Sequence, residues 1–142
     1  MSVREPTSQQ LAHELRETLG RVVRRLRAEP GPSVGRLAVL GRLDRDGPSS
    51  ISDLAARERM RPQSMAQTVH DLETAGLVSR RPDPADGRRA FVELTPAGLD
   101  LLGTTRARRE TWLSDVLERE LDADERALVH RALVLLSRIA DA

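Results

Sequence analysis

The 142-residue sequence predicts a mostly α-helical fold with one small β-hairpin. Three observations carry that expectation. Apolar residues recur at spacings of three and four along most of the chain, which is the helical period. Alternation at the strand period occurs once, between Leu77 and Leu94. Two short helical patterns joined by a basic turn stand directly before it.

Element by element, residues 7–28 form a long amphipathic helix, with Leu11, Leu15, Leu19, Val22, Val23 and Leu26 on one side. Glu29-Pro30-Gly31-Pro32 ends it, since neither Pro nor Gly propagates a helix. Ser33 caps a second helix that stops near Asp46-Gly47-Pro48. Ser50 and Asp53 have capping-box spacing and open a third, short helix through Leu54 and Ala55. Arg57 to Arg61 make its tail and a turn. Pro62 then starts a fourth helix at the position where a missing N–H costs nothing. Met65, Val69 and Leu72 form its buried stripe, and Gly76 suits its C-terminal cap.

Leu77 to Arg81, a loop from Pro82 to Gly87, and Arg88 to Leu94 read as the hairpin. Asp86-Gly87 is its turn pair, with a glycine that tolerates positive φ. Thr95-Pro96 opens a long fifth helix, whose Trp112 is its one large aromatic, assigned to the core at the helix junction ahead of a pocket wall. Asp122 and Glu125, again at capping-box spacing, start the last helix. That helix is apolar on two adjacent rows, Leu128/Ala132/Leu135/Ile139 and Val129/Leu133/Leu136. So wide a face needs cover on more than one side. The preferred reading is that the terminal helices interlock with a second copy of the chain through Leu11, Leu15, Leu128, Leu133, Leu136 and Ile139, with Ala132 left unassigned.

The order helix–turn–helix, then hairpin, is the winged helix-turn-helix plan. The expected domains are an N-terminal dimerisation helix (1–32), a winged helix-turn-helix (33–95, recognition helix 62–75, wing 77–94) and C-terminal dimerisation helices (96–142).

Composition limits the chemistry. All 23 basic residues are Arg, set against 22 acids, with three His, one Phe, one Trp and no Cys. Disulfides, thiolate zinc sites and thiol redox switches are excluded, and the core must be built from Leu, Val, Ala and Ile. No apolar run approaches the roughly 20 residues of a membrane span. The start, with Arg4, Glu5 and Pro6, lacks a signal-peptide pattern, so a soluble cytoplasmic protein without membrane partners is expected. Charge is uneven. Seven Arg face five acids from Arg57 to Arg89, whereas eight acids face four Arg from Glu110 to Ala142. One face suits phosphates and the other does not.

On the fourth helix, Arg61, Gln63, Ser64, Gln67 and Thr68 lie outward near the N-terminal end. Gln pairs well with adenine, Ser and Thr adapt to several bases, and free helical N–H groups favour phosphate. Asp71 and Glu73 lie toward the other end, where phosphates would repel them. Arg88 and Arg89 stand at the hairpin tip, placed to enter a minor groove, with Asp83 or Asp86 expected to brace one guanidinium.

The stretches Gly47-Pro48-Ser49-Ser50-Ile51-Ser52-Asp53-Leu54-Ala55, Met60-Arg61-Pro62-Gln63-Ser64-Met65, Leu72-Glu73 and Gly76-Leu77-Val78 resemble the MarR family of transcriptional regulators. So do Arg81-Pro82-Asp83-Pro84-Ala85-Asp86-Gly87-Arg88-Arg89 and Leu94-Thr95-Pro96-Ala97-Gly98. The likeness runs over residues 33–102, and Asp-x-Arg in the wing is its most distinctive part. It implies a homodimeric repressor that binds a roughly palindromic double-stranded DNA operator. It also implies release by a small molecule, commonly a phenolic or other aromatic anion, in a pocket between the dimer and DNA-binding regions. By position, Gln63, Ser64, Gln67 and Thr68 match the base-facing side of the recognition helix, and Asp86 with Arg88 the braced wing arginine; Arg89 is its neighbour. Ala66 and Gln67 depart from the Thr or Arg common in the family, and Arg36 from a common Gln. Lacking Cys, the chain falls outside the peroxide-sensing branch.

Other readings carry less. His13/Glu17 and His70/Glu73 are each at helical spacing for two zinc ligands, the basis of a metal-responsive alternative beside that of an effector-independent winged-helix regulator, but such pairs are common on solvated helix faces. No cofactor or metal is expected. An enzyme is not expected either, for want of a nucleophile constellation, an HExxH motif or a Gly-rich phosphate loop. A non-specific architectural DNA-binding protein would be more strongly basic than a net charge of +1.

Overall fold

In the computed structural model, which describes residues 5–142, nine elements are present: the six helices and two hairpin strands in the expected order, and one further strand. They are α1 (Ser8–Arg27), α2 (Val34–Asp46), β1 (Ser49–Ser50), α3 (Ile51–Arg57), α4 (Pro62–Thr74), β2 (Val78–Pro82), β3 (Ala90–Leu94), α5 (Pro96–Glu120) and α6 (Ala123–Ala140).

Local chemistry sets most of the helix starts. Thr7 accepts the Gln10 N–H and Gln10 reaches back to the Thr7 N–H, a full capping box. Asp122 and Glu125 do the same for α6. Ser33 Oγ accepts the Arg36 N–H at the head of α2. Ser50 Oγ accepts the Asp53 N–H, but the returning half of that box is not formed. Asp53 is one methylene shorter than the Glu that ordinarily closes it.

The hairpin differs from expectation at both ends. β2 runs on through Pro82, which an edge strand tolerates, and β3 begins only at Ala90, so Arg88 and Arg89 belong to the loop. The sheet also has a third strand that the sequence did not announce. Its order is β1–β3–β2, antiparallel throughout, with Ser49 opposite Val92 and Val78 opposite Leu94. Two residues cannot show a period; β1 exists because β3 offers it a partner.

The chain divides into two compact units, one ending at Thr105 and one from Arg106 to Ala142. In the first, Val39, Leu40, Leu43, Leu54, Met65, Val69, Leu72, Val78, Val92 and Leu102 make an aliphatic core. At its centre lies the expected α4 stripe. Thr95 Oγ1 donates to the Gly76 carbonyl (2.7 Å) and accepts the Gly98 N–H (3.1 Å), tying the start of α5 to the end of α4. Gly98 is required there, because a Cβ would collide with the Leu77 carbonyl oxygen. In the second unit α6 buries no residue fully. Trp112 is half-buried. Among the described residues no helix is long and apolar enough to cross a membrane.

Candidate nucleic-acid interface

The turn between α3 and α4 is built on a residue that dislikes it. The N–H groups of Arg59 and Met60 return to the carbonyls of Ala56 and Ala55, which closes the end of α3 in a Schellman motif. That geometry places Arg59 at φ +52°, the left-handed region that favours glycine. The end of α4 uses the same motif with glycine in the special position. Gly76 (φ +74°) donates to Glu73, and Leu77 donates to Leu72.

Behind the turn, α2 and α3 are held by arginine–carboxylate pairs. Arg42 Nε lies 2.8 Å from Glu58, and Arg57 lies 2.6 Å from Asp46. The hydrogen bond to Glu58 raises the Arg42 pKa above its ordinary value; burial works against this and the charges of Glu58 and Asp46 add to it. The scaffold is thereby cross-braced where α4 leaves it.

Arg61 is the N-cap residue of α4 and makes no side-chain cap, while Pro62 occupies the first helical position. The N–H groups of the first turn are thus not served by a capping side chain, an arrangement suited to phosphate. Arg61, Gln63, Ser64 and Gln67 are all exposed. Thr68 is half-buried, and its hydroxyl donates to the Ser64 carbonyl at 3.1 Å, so only its lone pairs remain for a base. The two acids farther along the helix are both engaged. Asp71 accepts from Arg36 of α2 at 3.1 Å and from Gln67 at 2.9 Å, and Glu73 pairs with Arg80 of β2 at 3.3 Å. Their charge is compensated on the protein, which softens the repulsion expected from sequence.

At the wing tip the expected carboxylate–guanidinium brace is not formed. Asp83 accepts the Ala85 N–H (2.8 Å) and Asp86 the Arg88 N–H (3.0 Å), so each carboxylate shapes the loop backbone. Arg89 donates to the Asp86 carbonyl and accepts from the Asp83 N–H, which closes the loop. Gly87 does not take a positive φ, because the Asp86 carboxylate supplies the turn that glycine was expected to supply. Among the described residues no carboxylate pairs with the guanidinium of Arg88 or Arg89. Both instead line a shallow cleft of about 290 Å³ with Arg80, Ser50, Ile51, Ser52 and Ala90. Arg80 was not singled out from sequence. The pairing of Arg80 with Val92 across the sheet is what sets it beside the other two arginines.

No group of three or more His, Asp or Glu suited to a metal occurs among the described residues. Glu17 lies 2.6 Å from Arg16, and Glu73 is held by Arg80.

An exposed, uncapped helix start together with an arginine-lined wing is the arrangement of a winged helix-turn-helix DNA-binding regulator. Comparison with known proteins narrows the class. Residues 31–89 match the MarR family. An HTH-type transcriptional regulator of Mycobacterium leprae is 33% identical over 134 residues, spanning 92% of this chain and 93% of the relative. The crystal structure of a putative transcriptional regulator from Pseudomonas aeruginosa PA01 superposes with a TM-score of 0.83 at 41% identity, covering 96% of this chain and 99% of that one. The PcaV transcriptional regulator of Streptomyces coelicolor, solved with its natural ligand, gives 0.61 at 27% identity over 100% of this chain and 99% of its own. The chain belongs to the MarR family of transcriptional regulators.

Proposed function

We propose that the protein is a homodimeric repressor that binds a roughly palindromic operator and leaves it when a small molecule of phenolic or aromatic type binds. The observation that carries this reading is the pairing of the exposed amide and hydroxyl side chains of α4 with the Arg80/Arg88/Arg89 cleft. In a dimer the two α4 helices enter successive major grooves about 34 Å apart. Gln63, Ser64 and Gln67 meet base edges and Arg61 the backbone, while each wing carries Arg88 and Arg89, shaped by Asp86, to a flanking minor groove.

Dimerisation is supported by the terminal helices. Leu11 of α1 and Leu128, Leu133 and Ile139 of α6 are exposed, while Leu15 and Leu136 are half-buried. A second copy is the cover such faces need. Effector release is supported by the ligand-bound state of the PcaV relative, and would act by shifting the population of DNA-competent dimers.

Fluorescence anisotropy at near-physiological salt, using duplex DNA from the gene's own upstream region beside a scrambled duplex, tests the reading. A preference of about a thousandfold with two protomers per duplex is expected. Equal, weak binding to both, and to duplexes enriched by in-vitro selection, would overturn it.

A further inference from the structure

We propose that Asp71, held in place by Arg36, orients the Gln67 amide and so makes this glutamine selective for adenine over guanine. The inference rests on α4 being the recognition helix.

The two ends of a glutamine amide are alike in shape and opposite in hydrogen bonding. A free glutamine at a groove can turn over and meet a donor or an acceptor. Gln67 is not free. Its amide lies 2.9 Å from Asp71 Oδ1, and an ionised carboxylate only accepts, so the group facing it must be the NH₂. Asp71 uses one of the two amide hydrogens. What remains for a base is one N–H donor on Nε2 and the acceptor Oε1. The major-groove edge of adenine offers the complement, N7 as acceptor and N6–H as donor. Guanine offers two acceptors, N7 and O6, and Oε1 would face one of them unpaired.

Arg36 makes the arrangement tenable beside DNA. It approaches from α2, thirty-five residues earlier in the chain, and its Nη2 lies 3.1 Å from Asp71 Oδ2. Each carboxylate oxygen thus has its own partner, so the carboxylate cannot swing away from Gln67 without losing the ion pair. The guanidinium also offsets a negative charge that would otherwise stand near phosphates. Asp71 is therefore a positioning residue, acting on the base through Gln67.

The test is in-vitro operator selection, followed by affinities for duplexes carrying each base at the position Gln67 reads. Wild-type protein, Gln67→Ala, Asp71→Ala, Arg36→Ala and the Gln67→Ala/Asp71→Ala double variant are compared. Wild type is expected to prefer adenine to guanine there by about tenfold or more. Asp71→Ala should reduce that preference to within about threefold while leaving the other operator positions as they were. The double variant should match Gln67→Ala at that position, since Asp71 has no separate route to the base. Arg36→Ala should weaken binding to all sequences and erode the adenine preference in part. If Gln67→Ala changes the selected sequence and Asp71→Ala does not, the positioning role is overturned and the recognition-helix reading stands. A selected sequence unchanged by Gln67→Ala overturns both.

Discussion

Met65, Val69 and Leu72 on α4 and Leu128, Leu133 and Ile139 on α6 all lie on apolar faces of helical period, yet their environments are opposite. The first three are at most 1% exposed, whereas the last three keep 51–60% of their surface. An amphipathic period states which side of a helix is apolar; it does not state what covers that side. For α4 the cover is the aliphatic core of its own unit. The α6 face is left open among the described residues. The chain thus has one region that closes on itself and presents polar side chains outward, and another that presents apolar side chains outward. In our proposal DNA reading belongs to the first region and self-association to the second.

The contrast can be broken most directly by equal injuries to both regions. Leu54→Ala, in the closed core, should lower unfolding free energy by about 2–5 kcal/mol, measured by denaturant titration at any protein concentration. Leu133→Glu should instead yield monomers in sedimentation-velocity runs and reduce operator affinity by about a hundredfold or more, the size of losing one of two linked half-sites. A Leu133→Glu protein that still sediments as a dimer would remove α6 from the interface.

A smaller effect is expected at the α4–α5 junction. Gly98→Ala should cost about 1–3 kcal/mol and lower the melting temperature, as the new methyl pushes on the Leu77 carbonyl. At the wing, Arg88→Ala should weaken binding across many sequences and reduce the slope of log affinity against log salt by about one. An unchanged slope would take Arg88 off the DNA. The two Schellman ends give the smallest and sharpest test. Replacing Arg59 by Gly should raise stability by about 1 kcal/mol, whereas Gly76→Ala should lower it by a similar amount, because both positions have positive φ and only one has glycine. If Arg59→Gly also weakens DNA binding, the strained arginine is retained for its side chain.

Several features were legible because their causes are local. Ser33 and Asp122 cap helices by contacts to the residue three positions on, and Pro62 and Gly76 act through their own backbone preferences. The strand β1 was not legible, because Ser49 and Ser50 become strand only through Val92 and Phe91, some forty residues away. The wing loop was misread for a related reason. Asp86 looked like a partner for a guanidinium, but a backbone N–H two residues on lies nearer and needs no flexible side chain to be ordered. Arg80 and Arg36 entered the site by the same long-range route, one through sheet register and one through the packing of α2 near α4.

The sequence by itself determined the order of the helices and the hairpin, most of the helix caps, the aliphatic core of the winged unit and the family motifs, since each depends on residues within a few positions or on hydrophobic period. Tertiary structure alone decided which charges meet. It set Arg36 against Asp71 and through it Gln67, and it brought Arg80 to Arg88 and Arg89. Ion pairs and cleft walls depend on distances of a few ångströms between segments far apart in the chain, and no local preference encodes those distances.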